Sequence, residues 1–214
     1  MTWTKAFLAL TVLCLLRSIA GGQEQALAPA YQDGESWQFK IDTSNYSNPT
    51  SLSNLLNGVY EVSFSNGELK TYELSGVQKT EFVDTLGMLP VMFGKGQWHG
   101  GQFITFPLFV GKKWQIDYSA PLAGQGSRDR RSWKVEATVI GVEQVTTAGG
   151  SFESFKIQNK QLSSGTTPVP VTVNYFYSPK MKSIVKLSFA GRTGSGSGGK
   201  ADIELIKFDA SVKP

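Results

Sequence analysis

Cysteine and histidine are nearly absent from these 214 residues, which hold one of each, Cys14 and His99. A disulfide framework within the chain is thereby excluded, and so is the usual zinc site, whose ligands come mainly from those two residue types. Long apolar runs are lacking too. The nearest approach, Ala6 to Leu16, is about half of the roughly 20 apolar residues that a membrane-spanning helix needs. It follows Lys5 and precedes Ser18-Ile19-Ala20. Charged, apolar and small residues in that order predict a secretory signal peptide over 1–20, cleaved after Ala20, with no transmembrane segment in the mature chain. Cys14 sits inside the apolar run behind Thr11-Val12-Leu13, which argues against lipidation.

Charge of one sign is also scarce. Lys5 and Arg17 leave with the signal, so basic residues fall from 21 to 19 against 17 acidic ones. The remaining charges are mixed along the chain, without the basic stripe that nucleic-acid binding demands. No stretch after residue 20 has the 3.6-residue period of an amphipathic helix.

Strict alternation fills the gap. Trp37, Phe39 and Ile41 alternate with Gln38, Lys40 and Asp42, and Trp114, Ile116 and Tyr118 with Lys113, Gln115 and Asp117. This is the pattern of half-buried strands. Similar segments are expected at 59–65, 68–74, 77–83, 132–140, 143–147, 152–162, 171–177, 181–190 and 201–209, with Asn66-Gly67 as the clearest hairpin turn. Gly141 reads as a turn between two of them. Residues 21–33 read as a flexible leader, 34–209 as one β domain and 210–214 as a tail. The fold class is all-β: an antiparallel meander of about eleven strands in a strongly curved sheet or up-and-down barrel. Gly34-Glu35-Ser36-Trp37-Gln38-Phe39 and Gly111-Lys112-Lys113-Trp114-Gln115-Ile116 share Gly-x-x-Trp-Gln, a hint of two similar halves.

Two segments break the alternation. Residues 43–57 form a polar loop holding Asn45-Tyr46-Ser47, a glycosylation acceptor pattern that a serine-rich loop also produces by chance. From Leu86 to Gln102, Met88, Met92, Phe93, Trp98 and Pro90 crowd together among glycines. That stretch reads as an apolar excursion across one end of the sheet, either a buried plug or a lid over a ligand pocket.

Phe106-Pro107-Leu108-x-Val110-Gly111-x-x-Trp114, the Gly141-x-Glu143-x-Val145 to Phe155-Lys156-Ile157 stretch, and Tyr177-Ser178-Pro179 to Ile184-Val185-Lys186 resemble a family of secreted bacterial β-rich proteins of unknown function, the TapB-like family. The likeness covers mainly 106–186 and departs at Gly150-Ser151, which adds a residue to the turn. It implies an exported β domain, with a curved sheet like those of periplasmic lipoprotein carriers, and transfers no catalytic residue.

Catalytic patterns are missing as well. There is no Gly-x-Ser-x-Gly elbow. The Gly194 to Lys200 stretch has Ala201 where a phosphate-binding loop needs Ser or Thr. His99 alone makes neither a metal site nor a triad, and Asp84, Asp117, Glu136 and Glu153 give no pair at a defined separation. No cofactor, metal or catalytic residue is therefore assigned. Aromatic residues remain, enough to line a cavity. The expected role is an exported, non-catalytic carrier of a lipid-like, apolar or amphipathic ligand. Its proposed lining is Met88, Met92, Phe93, Trp98, Phe103, Trp114, Tyr118 and Trp133. The alternative is an adaptor domain with a packed interior, acting through a protein partner at the cell surface; a hydrolase ranks third.

Overall fold

The structure is a computed structural model, and it describes residues 24–42, 57–82, 88–95, 101–121, 130–164, 172–192 and 198–210. The expected signal peptide, the Asn45 motif, Trp98, His99 and the Gly194 loop lie outside the described residues. Ten strands form one antiparallel sheet. They are β1 (Glu35–Asp42), β2 (Gly58–Ser65), β3 (Glu68–Ser75), β4 (Gln78–Glu81) and β5 (Lys113–Pro121), then β6 (Arg130–Thr147), β7 (Gly150–Ser164), β8 (Thr172–Ser178), β9 (Ser183–Arg192) and β10 (Gly198–Ala210). A single helical turn, α1 (Met88–Val91), lies between β4 and β5.

The hairpin between β2 and β3 turns at Asn66 and Gly67, both at positive φ (52° and 81°), as a tight two-residue turn requires. The sheet order is β4-β3-β2-β1-β10-β9-β8-β7-β6-β5. Two meanders, β1 to β4 and β5 to β10, are thus joined side by side through β1 and β10. The sheet does not close into a barrel: β4 and β5 are its two edges, and the segment between them crosses from one edge to the other.

Ten strands replace the expected eleven because 132–140 and 143–147 are one strand. Val139 and Gly141 pair with Ile157 and Lys156, and Ile140 is pushed out of register as a bulge. Gly141 therefore bends β6 instead of ending it, since the ladder to β7 continues on both sides. Beyond the bulge Val145 and Thr147 become buried, and the hairpin tip reaches β10. There Thr147 Oγ1 donates to Leu205 O at 2.7 Å and Gly149 N donates to the same oxygen at 3.2 Å. The pairing of β10 with β9 stops at Glu204, which leaves the Leu205 carbonyl for the hairpin.

The shared Gly-x-x-Trp motif has one local geometry in both places. Gly34 (φ 93°) donates to Phe64 O on β2, and Gly111 (φ 89°) to Val139 O on β6. The halves themselves differ, four strands against six, with β1 central and β5 at an edge.

One face of the sheet carries the core. Trp37, Phe39, Ile41, Tyr60, Val62, Ile157, Tyr175, Tyr177, Ile203 and Leu205 are all buried there, in one cluster with Leu89, Met92, Phe93, Ile104 and Leu108. The described residues between β4 and β5, 88–95 and 101–112, therefore supply the filling around which the sheet curves. Burying irregular backbone requires partners for its carbonyls, and distant donors supply them. Ile184 N bonds Met92 O at 2.8 Å, Tyr31 Oη lies 2.8 Å from Phe93 O, and Tyr175 Oη donates to Phe103 O at 2.6 Å. Lys112 Nζ bonds the carbonyls of Thr105 and Pro107.

Part of the segment before β1 packs against this filling. Ala26 is 3% exposed and exchanges both backbone hydrogen bonds with Leu108. Tyr31 packs on Trp37, Phe64 and Phe93.

Candidate ligand-binding site

The proposed lining residues divide into two groups. Met92 and Phe93 are 1% exposed, and the Phe93 ring is packed edge-on against Trp37 (4.8 Å between centroids) and Phe39 (5.9 Å). They belong to the buried core against β1 and β9. Met88 begins α1, with its side chain outside the described residues, as Trp98 is entirely. Tyr118 and Trp133 face each other in the register of β5 and β6, their side chains also outside the description.

Phe103 and Trp114 differ from Met92 and Phe93, because both are only partly buried against the core. Alternation puts Trp114 on the inner face of β5, beside buried Ile116. Register then runs from Trp114 to Ala137 on β6, Asn159 on β7 and Val173 on β8, one transverse row of the inner face. Ala137 supplies no bulk between the tryptophan and the asparagine. Asn159 Oδ1 lies 3.1 Å from the Tyr175 hydroxyl, which holds Phe103 O, and the Phe103 and Tyr175 rings are 6.4 Å apart. The row and the excursion thus meet at one end of the curved sheet, over β5 to β8.

Polar groups here are few. Burial pushes the Tyr175 phenol well above its ordinary range, so it stays a neutral donor. Trp114 Nε1 is buried and has no hydrogen-bond partner among the described residues. Lys112 Nζ lies 5.8 Å from the centroid of the Trp114 ring, and burial lowers its pKa below the usual lysine value. The arrangement offers an apolar aromatic wall, one indole donor and one ammonium. It offers no nucleophile with an adjacent base.

Asn159, Tyr175 and Lys112 were not singled out as site residues from sequence. Asn159 had a signal, a lone amide at an inward position after Phe155 and Ile157. Lys112 had none, because its ammonium reaches the site by folding back on Thr105 and Pro107. Of the carboxylates considered for hydrolysis, Asp84 lies outside the described residues, and Asp117 and Glu136, diagonal neighbours on β5 and β6, are each engaged by another side chain. Asp117 takes Gln115 Nε2 at 2.8 Å, Glu136 pairs with Lys113 at 3.3 Å, and both lie on the outer face; Glu153 lies toward the tip of the β6 and β7 hairpin. Among the described residues, no three His, Cys, Asp or Glu side chains are grouped to hold a metal ion, and no helix is long and apolar enough to cross a membrane.

Fold and site together define a single-sheet antiparallel β protein whose inner face is packed by its own chain. No protein-family model matches it, and no curated protein does. Solved structures similar to it include a proposed exported protein with a YmcC-like fold from Bacteroides fragilis, at 13% identity and TM-score 0.33, over 86% of this chain and 99% of that one. A proposed lipoprotein from Parabacteroides distasonis aligns at 11% identity and TM-score 0.39, over 87% and 100%. The hypothetical lipoprotein YmcC from Escherichia coli aligns at 11% and 0.35, over 81% and 83%. Likeness at this level transfers neither site nor ligand.

Proposed function

We propose that the chain is an exported, non-catalytic binding or carrier protein for an apolar or amphipathic small molecule, held at the inner-face end formed by β5 to β8. The observation that carries this reading is the contrast along one face: aromatic surface is sealed at Trp37 and Phe93 but only partly covered at Phe103 and Trp114. Partly covered aromatic surface beside a few polar groups is the usual composition of a small-molecule site. Export rests on the charged, apolar and small residues of 1–20. The TapB-like resemblance of 106–186 agrees with a secreted β domain and is neutral about the ligand. Organic extraction of the natively purified protein followed by mass spectrometry should yield a stoichiometric lipid-like species. A folded protein that yields none and binds no hydrophobic dye sinks the reading.

The adaptor alternative is favoured by a different observation. Leu89, Met92 and Phe93 are buried in the core of the inner face, which supports the plug, one of the two roles open to the 86–102 stretch from sequence. A stoichiometric protein partner on cross-linking, with no extracted small molecule, would select it.

A further inference from the structure

We infer that the bound molecule presents an oxygen acceptor of an acyl chain, a carboxylate or an ester carbonyl, to Trp114 Nε1, with Lys112 supplying the complementary charge. This rests on the carrier reading above and specifies its ligand.

An indole N–H is a donor only, so an acceptor is the one kind of group that can satisfy it. Trp114 Nε1 is buried without a partner among the described residues, and leaving such a donor unpaired is costly. The neighbouring strand does not provide the acceptor: Trp114 stands opposite Ala137, which has no polar side-chain atom. Lys112 adds charge of the right sign. Its ammonium, 5.8 Å from the indole centroid, is anchored by the Thr105 and Pro107 carbonyls, which employ two of its three N–H donors. Anchoring fixes the charge beside the ring instead of letting the side chain extend into solvent. The rings of Phe103 and Trp114 provide the apolar contact. A neutral hydrocarbon would satisfy the rings and leave the indole donor unpaired, whereas a polar head without a chain would leave the rings uncovered. An amphipathic compound with an oxygen acceptor at its head answers both, and a fatty acid or its ester is the simplest such molecule.

The test uses the full chain stripped of lipid, with N-phenyl-1-naphthylamine as the fluorescent probe displaced by laurate, methyl laurate or dodecane. In the unaltered protein laurate should displace the dye at a concentration about tenfold below that of dodecane, the effect of one hydrogen bond. Trp114→Phe keeps a ring and removes the donor, so it should abolish that difference and leave dodecane unchanged. Should that variant fold poorly in a melting control, Lys112→Met serves in its place, expected to erase any preference for laurate over methyl laurate. Methyl laurate equal to laurate assigns the ester carbonyl; laurate stronger than methyl laurate assigns the carboxylate. Laurate and dodecane displacing equally, or a folded Trp114→Phe protein retaining the laurate preference, overturns the head-group inference and leaves the carrier reading standing. Failure of the dye itself to bind overturns both.

Discussion

The Trp37 indole donates through Nε1 to the carbonyl oxygen of Met181 at 2.6 Å, across 144 residues of sequence. It ties the central strand β1 to the turn between β8 and β9, where Glu35 and Lys182 also form an ion pair at 2.5 Å. Trp37→Phe removes the hydrogen bond and part of the ring. It should lower stability by about 2–3 kcal/mol, read from urea unfolding followed by circular dichroism. A loss under 0.5 kcal/mol would mean that the tie contributes little.

Gly149 and Gly141 make a matched pair for testing the hairpin that folds over to β10. A Cβ on Gly149 would sit 2.9 Å from both the Leu205 oxygen and the Ile206 carbonyl carbon, backbone atoms that cannot step aside. A Cβ on Gly141 would meet nothing within 4 Å. Gly149→Ala should therefore cost about 1–3 kcal/mol, while Gly141→Ala stays within about 0.5 kcal/mol. Equal melting temperatures for the two variants would contradict the close approach.

Ser178 and Ser183 stand opposite each other in register, both fully buried, and neither Oγ has a partner among the described residues. Removing an unsatisfied hydroxyl relieves a desolvation cost. Ser178→Ala and Ser183→Ala should each leave stability unchanged or raise it by up to about 1 kcal/mol. Thr147→Val is the opposite case, because its hydroxyl donates to Leu205 O; it should cost about 1–2 kcal/mol. Calorimetric melting of the three variants separates the two outcomes.

Glu61 gives the outer face a pH dependence. Burial works against its charge, but hydrogen bonds from Lys79 and Gln38, with the Lys79 and Lys207 charges, outweigh it and hold the carboxyl below the usual range. A carboxyl lowered by folding contributes stability that is present above its unfolded pKa of about 4.3 and is lost as pH falls through the folded value. Lys79 is 44% exposed, so screening keeps the contribution under about 1 kcal/mol. Glu61→Gln should lower stability by up to about 1 kcal/mol in the neutral range and flatten the acid limb below about pH 4.5, where variant and wild type converge. An identical acid limb in wild type and variant would remove Glu61 from the account.

Much of this was legible in the residues. Alternation placed Trp37, Phe39, Ile41 and Ile116 on the inner face, and each is buried there. The candidate site was legible only in part. Phe103 and Trp114 are left partly buried, while Met92 and Phe93, equally apolar in sequence, are buried in the core. Composition cannot separate those fates, since both groups are aromatic or thioether side chains in the same excursion or its flank. What separates them is how much of each the sheet covers.

The sequence by itself determined what depends on near neighbours. Strand faces follow from a two-residue period, and the turn at Asn66-Gly67 from the φ angles those two residues tolerate. The repeated Gly-x-x-Trp start likewise produced the same local geometry at Gly34 and Gly111. Tertiary structure decided what depends on residues far apart. It made β1 and β10 neighbours, turned Gly141 from an expected break into a bend, drew Ala26 onto Leu108, and ran the chain between the two sheet edges through the interior. Each of these is settled by which distant surfaces must be buried together, and a local pattern carries no record of that.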